Sequence, residues 1–280
     1  MSAQPAPDAV HDTGVLVEQS TAYRAAIVAA AAQQIHELID GFQSWYDDLA
    51  VRRLARAISE VVRSNQGTAA AYEAGYMQEV MRTIAGIDRS VAAAQIPRYG
   101  LRKGIDPVDE WVRLGVQYRY ERSVGAPHEN AIKKVLDRAD VMSQYDINLA
   151  NRIQWFESML HSPLAVGYRR VVRPYLSDGG TCGMCLVAAD RVYSRHTLLP
   201  IHARCKCTVV PVLRTGEDIG SSLNNLDLGD LYEQAGGQQA ESLKRTRYKI
   251  VDHGELGPQL APVKTPKGPY AGRYKPTRSH

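Results

Sequence analysis

The sequence predicts an α+β fold, in which a mainly helical N-terminal body precedes a small Cys-rich α/β knuckle domain and a disordered basic tail. Apolar residues recur at helical spacing through most of the first 160 residues, as they do between Phe42 and Leu49. All four cysteines lie within residues 182–207. Residues 244–280 carry nine Lys and Arg against two acids, an excess of +7 in a chain whose net charge is +4.

Residues 1–20 are rich in Ala, Pro, Asp and Ser and show no apolar period, which predicts a flexible N-terminal arm. This stretch also lacks the basic region and apolar core of a signal peptide, so we expect synthesis in a cytoplasm, where thiols are reduced. No run of about 18 apolar residues is present, and we therefore expect no membrane span.

Residues 21–161 are predicted to form the helical body. Apolar stripes run from Tyr72 to Ile87 and from Tyr145 to Leu160, with the spacing of buried helix faces. Residues 64–67 (Ser-Asn-Gln-Gly) predict a helix end, and residues 97–104 predict a loop.

Two further boundaries are visible in the body. Asp106 followed by Pro107 predicts a helix start, because aspartate caps helix N-termini and proline is tolerated at the first helical position. Residues 125–127 (Gly-Ala-Pro) predict the end of one helix and the start of the next.

The knuckle domain is assigned to residues 162–243. Residues 168–175 favour a strand, and Pro174 near its end indicates an edge position. Residues 207–213 favour a second strand, and residues 231–242 a further helix.

The last predicted segment is a basic tail over residues 244–280. Residues 258–280 contain five prolines and two glycines with few aliphatic residues, a composition typical of disorder. A basic tail can contact nucleic acid or an acidic protein surface. The alternative is a solvated terminus without a binding role.

The cysteines form two close pairs, Cys182 with Cys185 and Cys205 with Cys207, in a C-x2-C-x19-C-x-C pattern. Zinc prefers four thiolate or imidazole ligands in a tetrahedron, and two such pairs supply them. His202 is an alternative ligand, because it lies three residues before the second pair. The pattern therefore indicates a structural zinc site.

Two other roles for the cysteines stay open. One or two disulfides would be compatible with a protein that is finally located outside the reducing cytoplasm. Alternatively, buried cysteines occur simply as small core residues. His196 is a further candidate ligand, and Cys205 with His202 a candidate nucleophile and base. The sequence contains no P-loop, Rossmann, HExxH or GxSxG motif.

Basic residues around the cysteines and in the tail are candidates for contacting phosphates of nucleic acid. The alternative is pairing with acids of the helical body. The candidates are Arg169, Arg170, Arg173, Arg204, Lys206, Lys264, Lys267, Arg273 and Lys275, with Arg191 and Arg195 nearby.

Residues 167–212 resemble the phage Mu protein F-like, or head morphogenesis, family of minor capsid proteins. The resemblance rests on four pieces of sequence, which are Gly167–Val171, Gly180–Cys185, Asp190–Tyr193 and Leu199–Pro211. It covers about 45 residues, and the layout of the preceding helices is similar as well.

The resemblance implies a structural virion protein of a tailed phage, made in the host cytoplasm and located in the head near the portal vertex. Such proteins act in head assembly or in DNA packaging and delivery. The implied partners are the portal protein, the inner surface of the major capsid protein and genomic double-stranded DNA. Two alternatives stay open, a cysteine-dependent capsid maturation protease and a nucleic-acid-binding module.

Overall fold

Four long helices form the first part of the protein, as the computed structural model shows. They are α1 (Pro7–Asp40), α2 (Asp48–Ala85), α3 (Pro107–Ser123) and α4 (His128–Leu160). The structure describes residues 7–98, 100–102, 104–173, 180–196, 207–214, 218–224, 228–252 and 258–263. No described helix is long and apolar enough to cross a membrane.

The predicted fold class is confirmed, because a smaller strand-containing region follows these helices. Its first sheet has the order β3-β1-β4, with β1 (Ala165–Val171), β3 (Val192–Ser194) and β4 (Thr208–Leu213). Both neighbours run antiparallel to β1.

A second sheet has the order β2-β5-β6 and is also antiparallel. Its strands are β2 (Thr181–Cys182), β5 (Arg247–Asp252) and β6 (Pro258–Pro262). The described residues of this region also form four short helices, α5 (Gly183–Ala189), α6 (Ile219–Asn224), α7 (Leu228–Ala235) and α8 (Ala240–Arg245).

The structure confirms two of the predicted helix boundaries. The Asp106 side chain accepts a 2.7 Å hydrogen bond from the Val108 amide, with Pro107 in the first turn of α3. The break at residues 125–127 separates α3 from α4 as predicted.

Three predictions for the first 160 residues were wrong. Phe42 and Trp45 do not lie on a helix, because α1 ends at Asp40 and α2 begins at Asp48. Residues 7–20 belong to α1 instead of a flexible arm, because Val17 is fully buried in a core shared with the first sheet. Residues 64–67 do not end a helix. The buried Gln66 side chain donates to the Asp146 carbonyl oxygen of α4 at 2.9 Å, so tertiary packing carries α2 through this polar stretch.

The strand region also departs from expectation. β1 is the central strand and not an edge, whereas Pro211 lies in β4 at the edge of the same sheet, where a missing amide hydrogen is tolerated. Pro174 lies outside the described residues. The strand predicted over residues 207–213 is confirmed as β4.

The C-terminal part is more ordered than predicted. The helix expected over residues 231–242 is divided into α7 and α8 at Gly236 and Gly237, whose φ values are 73° and 140°. The disorder predicted from residue 244 is wrong as far as β6, because β5 pairs with β2 and β6 pairs with β5. Residues 264–280 lie outside the described part of the chain.

Candidate functional site

The first cysteine pair lies where β2 joins α5. Cys182 is the residue directly before α5 and Cys185 lies one turn further on, with 3.2 Å between their Sγ atoms. Both side chains are buried. Gly183 between them is required by packing, since a Cβ there would lie 2.9 Å from the carbonyl oxygen of Leu243 in α8.

Cys207 shares a buried cluster with the first pair. It precedes β4 directly and is 4% exposed, among apolar side chains that include Leu186 and Tyr248. Burial raises the pKa of the Tyr248 hydroxyl to about 12. Cys205 and His202 lie outside the described residues, so the structure tests neither of them as a ligand.

The geometry of the described thiols is compatible with a local crosslink. A distance of 3.2 Å between Sγ atoms exceeds the covalent S–S length of about 2.05 Å, yet it leaves the two sulfurs close enough to share one metal ion or to close a bond. Within the described ranges, no group of three or more His, Cys, Asp and Glu side chains is placed to hold a metal. His196 is exposed and lies beside Arg195, with 3.3 Å between Nε2 and the arginine Nε.

Arg24 of α1 connects the helical body to this cluster. Its Nη1 donates a 3.0 Å hydrogen bond to the Cys207 carbonyl oxygen, and its Nη2 donates to the Thr208 hydroxyl. Its Nε lies 3.4 Å from Oε1 of Glu73 in α2, in an ion pair whose side chains are almost fully buried. The guanidinium also lies over the Trp155 ring of α4, 5.1 Å from the centroid.

Glu73 receives further hydrogen bonds. The Ser20 hydroxyl donates to it at 2.9 Å, and the Trp155 indole donates to its second oxygen. Burial raises the pKa of the Glu73 carboxyl, while Arg24 and the two donors act in the opposite direction. Four elements therefore meet at one buried ion pair beside the cysteine cluster.

The sequence did not lead us to expect roles for Arg24 and Glu73. Arg24 directly precedes the Ala-rich stretch of residues 25–32, and Glu73 is the one charged residue within residues 69–74. A charge among small residues at a helix-packing face is a signal for a buried pair, because charged residues are rarely buried alone.

Three arginines proposed to contact nucleic acid are used inside the fold, which corrects that expectation. Arg169 is 8% exposed and makes a bidentate pair with Asp218, the shortest N–O distance being 2.6 Å. Arg170 is also buried and lies over the Tyr193 ring. The side chain of Arg173 is 9% exposed and donates to the Leu223 carbonyl oxygen at 3.0 Å.

The other proposed phosphate contacts lie outside the described residues. They are Arg204, Lys206, Lys264, Lys267, Arg273 and Lys275. Arg191 is exposed, whereas Arg195 is partly buried and donates to the Ser162 and Ala165 carbonyl oxygens.

A cavity of about 760 Å³ opens between the C-terminal ends of α2 and α4 and the segment of residues 87–95. Gln154 of α4 is fully buried beside it and holds the segment. Its Nε2 donates to the Ala92 carbonyl oxygen at 3.0 Å, and its Oε1 accepts from the Ala94 amide. Apart from these two bonds, no hydrogen bond joins the backbone of residues 88–96 to another described residue.

A second buried charge cluster lies in the helical body. Arg102 donates to Glu110 at 2.7 Å and to Asp146 at 2.6 Å, and both acids are buried. Burial raises the pKa of the Asp146 carboxyl, and the hydrogen bond from Arg102 opposes that shift. This cluster joins the loop before α3 to α3 and α4.

Comparison with known proteins gives one family. A family model described as VG15 protein matches residues 13–235, which is most of the chain and includes the helical body, the first cysteine pair and Cys207. No curated protein and no solved structure matches.

Proposed function

Because the chain belongs to the VG15 protein family and is therefore a phage protein, we propose that it is a structural minor capsid protein of the phage head. It acts in head assembly or in DNA packaging and delivery, at the portal vertex. Its proposed partners are the portal protein, the inner surface of the major capsid protein and the genomic DNA.

One observation carries this proposal. Pieces of sequence on which the capsid-protein resemblance rests lie apart in the chain but contact one another in the fold. Tyr168 in β1 pairs with Tyr193 on one side and with Pro211 on the other. Arg169 also reaches the carbonyl oxygen of Ala189 at the end of α5, with 3.3 Å between the atoms. Pieces far apart in sequence thus form one folded unit, as expected if the resemblance reflects a shared domain.

A glycine of the resemblance is explained by the same sheet. A Cβ on Gly167 would lie 2.5 Å from the Tyr193 carbonyl oxygen, so only glycine permits this approach of β3 to β1. The sequence Gly-Tyr-Arg-Arg-Val therefore supports the domain assignment through packing as well as through likeness.

The experiment that tests the function is mass spectrometry of purified heads. We expect this chain at a low copy number beside the portal and major capsid proteins, and heads made without its gene to be defective in assembly or DNA filling. A phage replication enzyme serves as the control for contamination. Heads that lack the chain, or normal heads from a deletion phage, would reject the function.

We further propose that the cysteine cluster holds the small domain together by a local crosslink, with zinc or a disulfide as its chemistry. The contact between the Cys182 and Cys185 sulfurs supports a crosslink. Metal analysis of the purified protein with a thiol count distinguishes the two forms. Zinc with four titratable thiols after denaturation in a chelator indicates a metal site, and missing thiols without zinc indicate a disulfide.

A further inference from the structure

The five most exposed large hydrophobic side chains of the described residues lie at one end of the helical body. Their exposed fractions run from 54% to 71%, whereas the other seven exposed side chains of this class range from 38% to 50%. We call them the α3 patch, and they are Tyr46, Leu49, Val116, Tyr120 and Val124.

Three members of the patch lie along α3 and at its C-terminal end. Val116 and Tyr120 are four residues apart on one face of α3, and Val124 follows Tyr120 by four residues as the C-cap residue of the helix. The opposite face of α3 is buried in the core, through residues such as Trp111 and Tyr118. The helix is thus apolar on both faces, and its outer face has no core to cover it.

Arg119 joins these three members to the other two. Its Nη1 donates to the carbonyl oxygen of Trp45 at 3.0 Å and pairs with Asp48 at 3.2 Å. Trp45 directly precedes Tyr46, and Asp48 directly precedes Leu49. The patch is therefore held together at the junction of α3 with the start of α2.

Close helix packing makes the patch rigid. A Cβ on Gly115 would lie 2.7 Å from Cγ1 of Val51, so α2 and α3 are in close contact beneath it. Ordered tyrosines and aliphatic residues on rigid elements lose little conformational entropy on binding, which is why such surfaces are typical of protein interfaces.

The charge beside the patch selects the partner. Arg53 and Arg56 follow Leu49 on α2 at positions four and seven residues later, and both are exposed. Neither makes an ion pair or hydrogen bond with another described residue, whereas the nearby Arg52 is paired with Asp109 at 3.1 Å. An uncompensated positive charge next to apolar side chains complements acidic residues on a partner.

We propose that the α3 patch is a docking surface for an acidic protein segment that presents apolar side chains between its carboxylates. A second copy of this chain would bring the same arginines toward each other, which disfavours self-association. The inference rests on the proposed function, because the partner is sought among the proteins of the phage head.

The test is photo-crosslinking in infected cells, where every phage protein is present. A benzophenone amino acid replaces Tyr120, and the crosslinked peptide is identified by mass spectrometry. The matched control carries it at Tyr23, an exposed tyrosine of α1 outside the patch. We expect Tyr120, and not Tyr23, to capture another phage protein through a peptide with more Asp and Glu than Lys and Arg.

Charge reversal provides a second test, in which the crosslink yield is measured. The double variant Arg53→Glu with Arg56→Glu should lower the crosslink yield about tenfold, because opposite charges become like charges. Arg191→Glu with Arg214→Glu, which reverses two exposed arginines of the sheet region, should leave the yield unchanged. Circular dichroism verifies that both double variants fold.

The outcomes separate this surface from the proposed function. Crosslinks from Tyr120 to this chain, to lipid or to a basic peptide would overturn the docking proposal, and so would a folded protein that gives no crosslink. An acidic phage partner captured in cells, together with heads that lack the chain, would support the surface and reject the head function.

Discussion

The guanidinium of Arg24 in α1 donates a 3.0 Å hydrogen bond to the carbonyl oxygen of Cys207, at the start of β4. The same guanidinium pairs with Glu73 of α2. The cysteine-bearing region is thereby connected to the helical body through buried charge as well as through apolar packing.

Replacing Arg24 with methionine should strongly destabilise the protein. The change leaves the Glu73 carboxylate buried without its cation, which costs about 3–5 kcal/mol of the free energy of unfolding. Denaturant titration measures the loss. The matched control is Arg63→Met, which removes an exposed arginine paired with Glu60 and should cost at most about 1 kcal/mol.

The cost of Arg24→Met should depend on pH. Burial already raises the pKa of Glu73, and removal of Arg24 raises it further, since the cation favours the charged form. A carboxyl whose folded-state pKa is raised contributes stability that is present below the unfolded pKa and lost as the pH rises through the folded pKa. The variant should therefore be less destabilised at about pH 5 than at about pH 8, and equal losses at both would contradict the assignment.

Serine substitution of the first cysteine pair should reveal one shared crosslink. Cys182→Ser and Cys185→Ser should each lower the free energy of unfolding by about 2–5 kcal/mol, with little further loss in the double variant. Thr181→Ser is the control at a neighbouring position. Additive losses from the two single changes would indicate that the cysteines act as independent core residues, and a folded Cys variant that specifically loses capsid processing would favour the protease alternative.

Gln154→Met should release the segment of residues 87–95. Methionine keeps much of the volume but removes both hydrogen bonds to the Ala92 and Ala94 backbone. Cleavage within the segment by elastase should become about tenfold faster, because local opening costs less free energy. Gln95→Met, at an exposed position in the same segment, should leave the rate unchanged, and cleavage sites mapped by mass spectrometry verify the location.

Gly115→Ala should destabilise the helical body by about 1–3 kcal/mol, because the new methyl group would overlap Val51. Gly75→Ala is the matched control, since no atom lies within 4 Å of a Cβ built there. That second change should stabilise the protein by up to about 1 kcal/mol through helix propensity. Thermal unfolding of both variants measures the contrast, and a neutral Gly115→Ala would show that α2 and α3 separate readily.

Local chemistry explains which parts of the fold could be predicted. The start of α3 at Asp106 and Pro107 and the strand at residues 208–213 can be recognised from neighbouring residues alone, and both are confirmed. The continuation of α2 through Gln66 depends on a hydrogen bond to Asp146, 80 residues away, which no local pattern contains. The small residues around Arg24 and Glu73 signal burial, but the pairing of the two residues also joins positions far apart in sequence.

The candidate site was predicted in part. The sequence indicated a close pair at Cys182 and Cys185, and the structure places their sulfurs in contact. The zinc and disulfide assignments stay predictions, as do the roles of Cys205 and His202, which lie outside the described residues. Arg169 was misassigned because its partner, Asp218, lies across the sheet region and is not apparent from the local sequence.

The length of α2 fixes the distance between the α3 patch and the first sheet. Leu49 of the α3 patch lies near its first residue, and near its far end the Tyr76 hydroxyl donates to the Val209 carbonyl oxygen of β4 at 2.8 Å. These points are separated by about 40 Å of continuous helix, at about 1.5 Å per residue. A partner bound at the α3 patch would therefore be held at a fixed distance from the cysteine-bearing region, and in a fixed orientation to it.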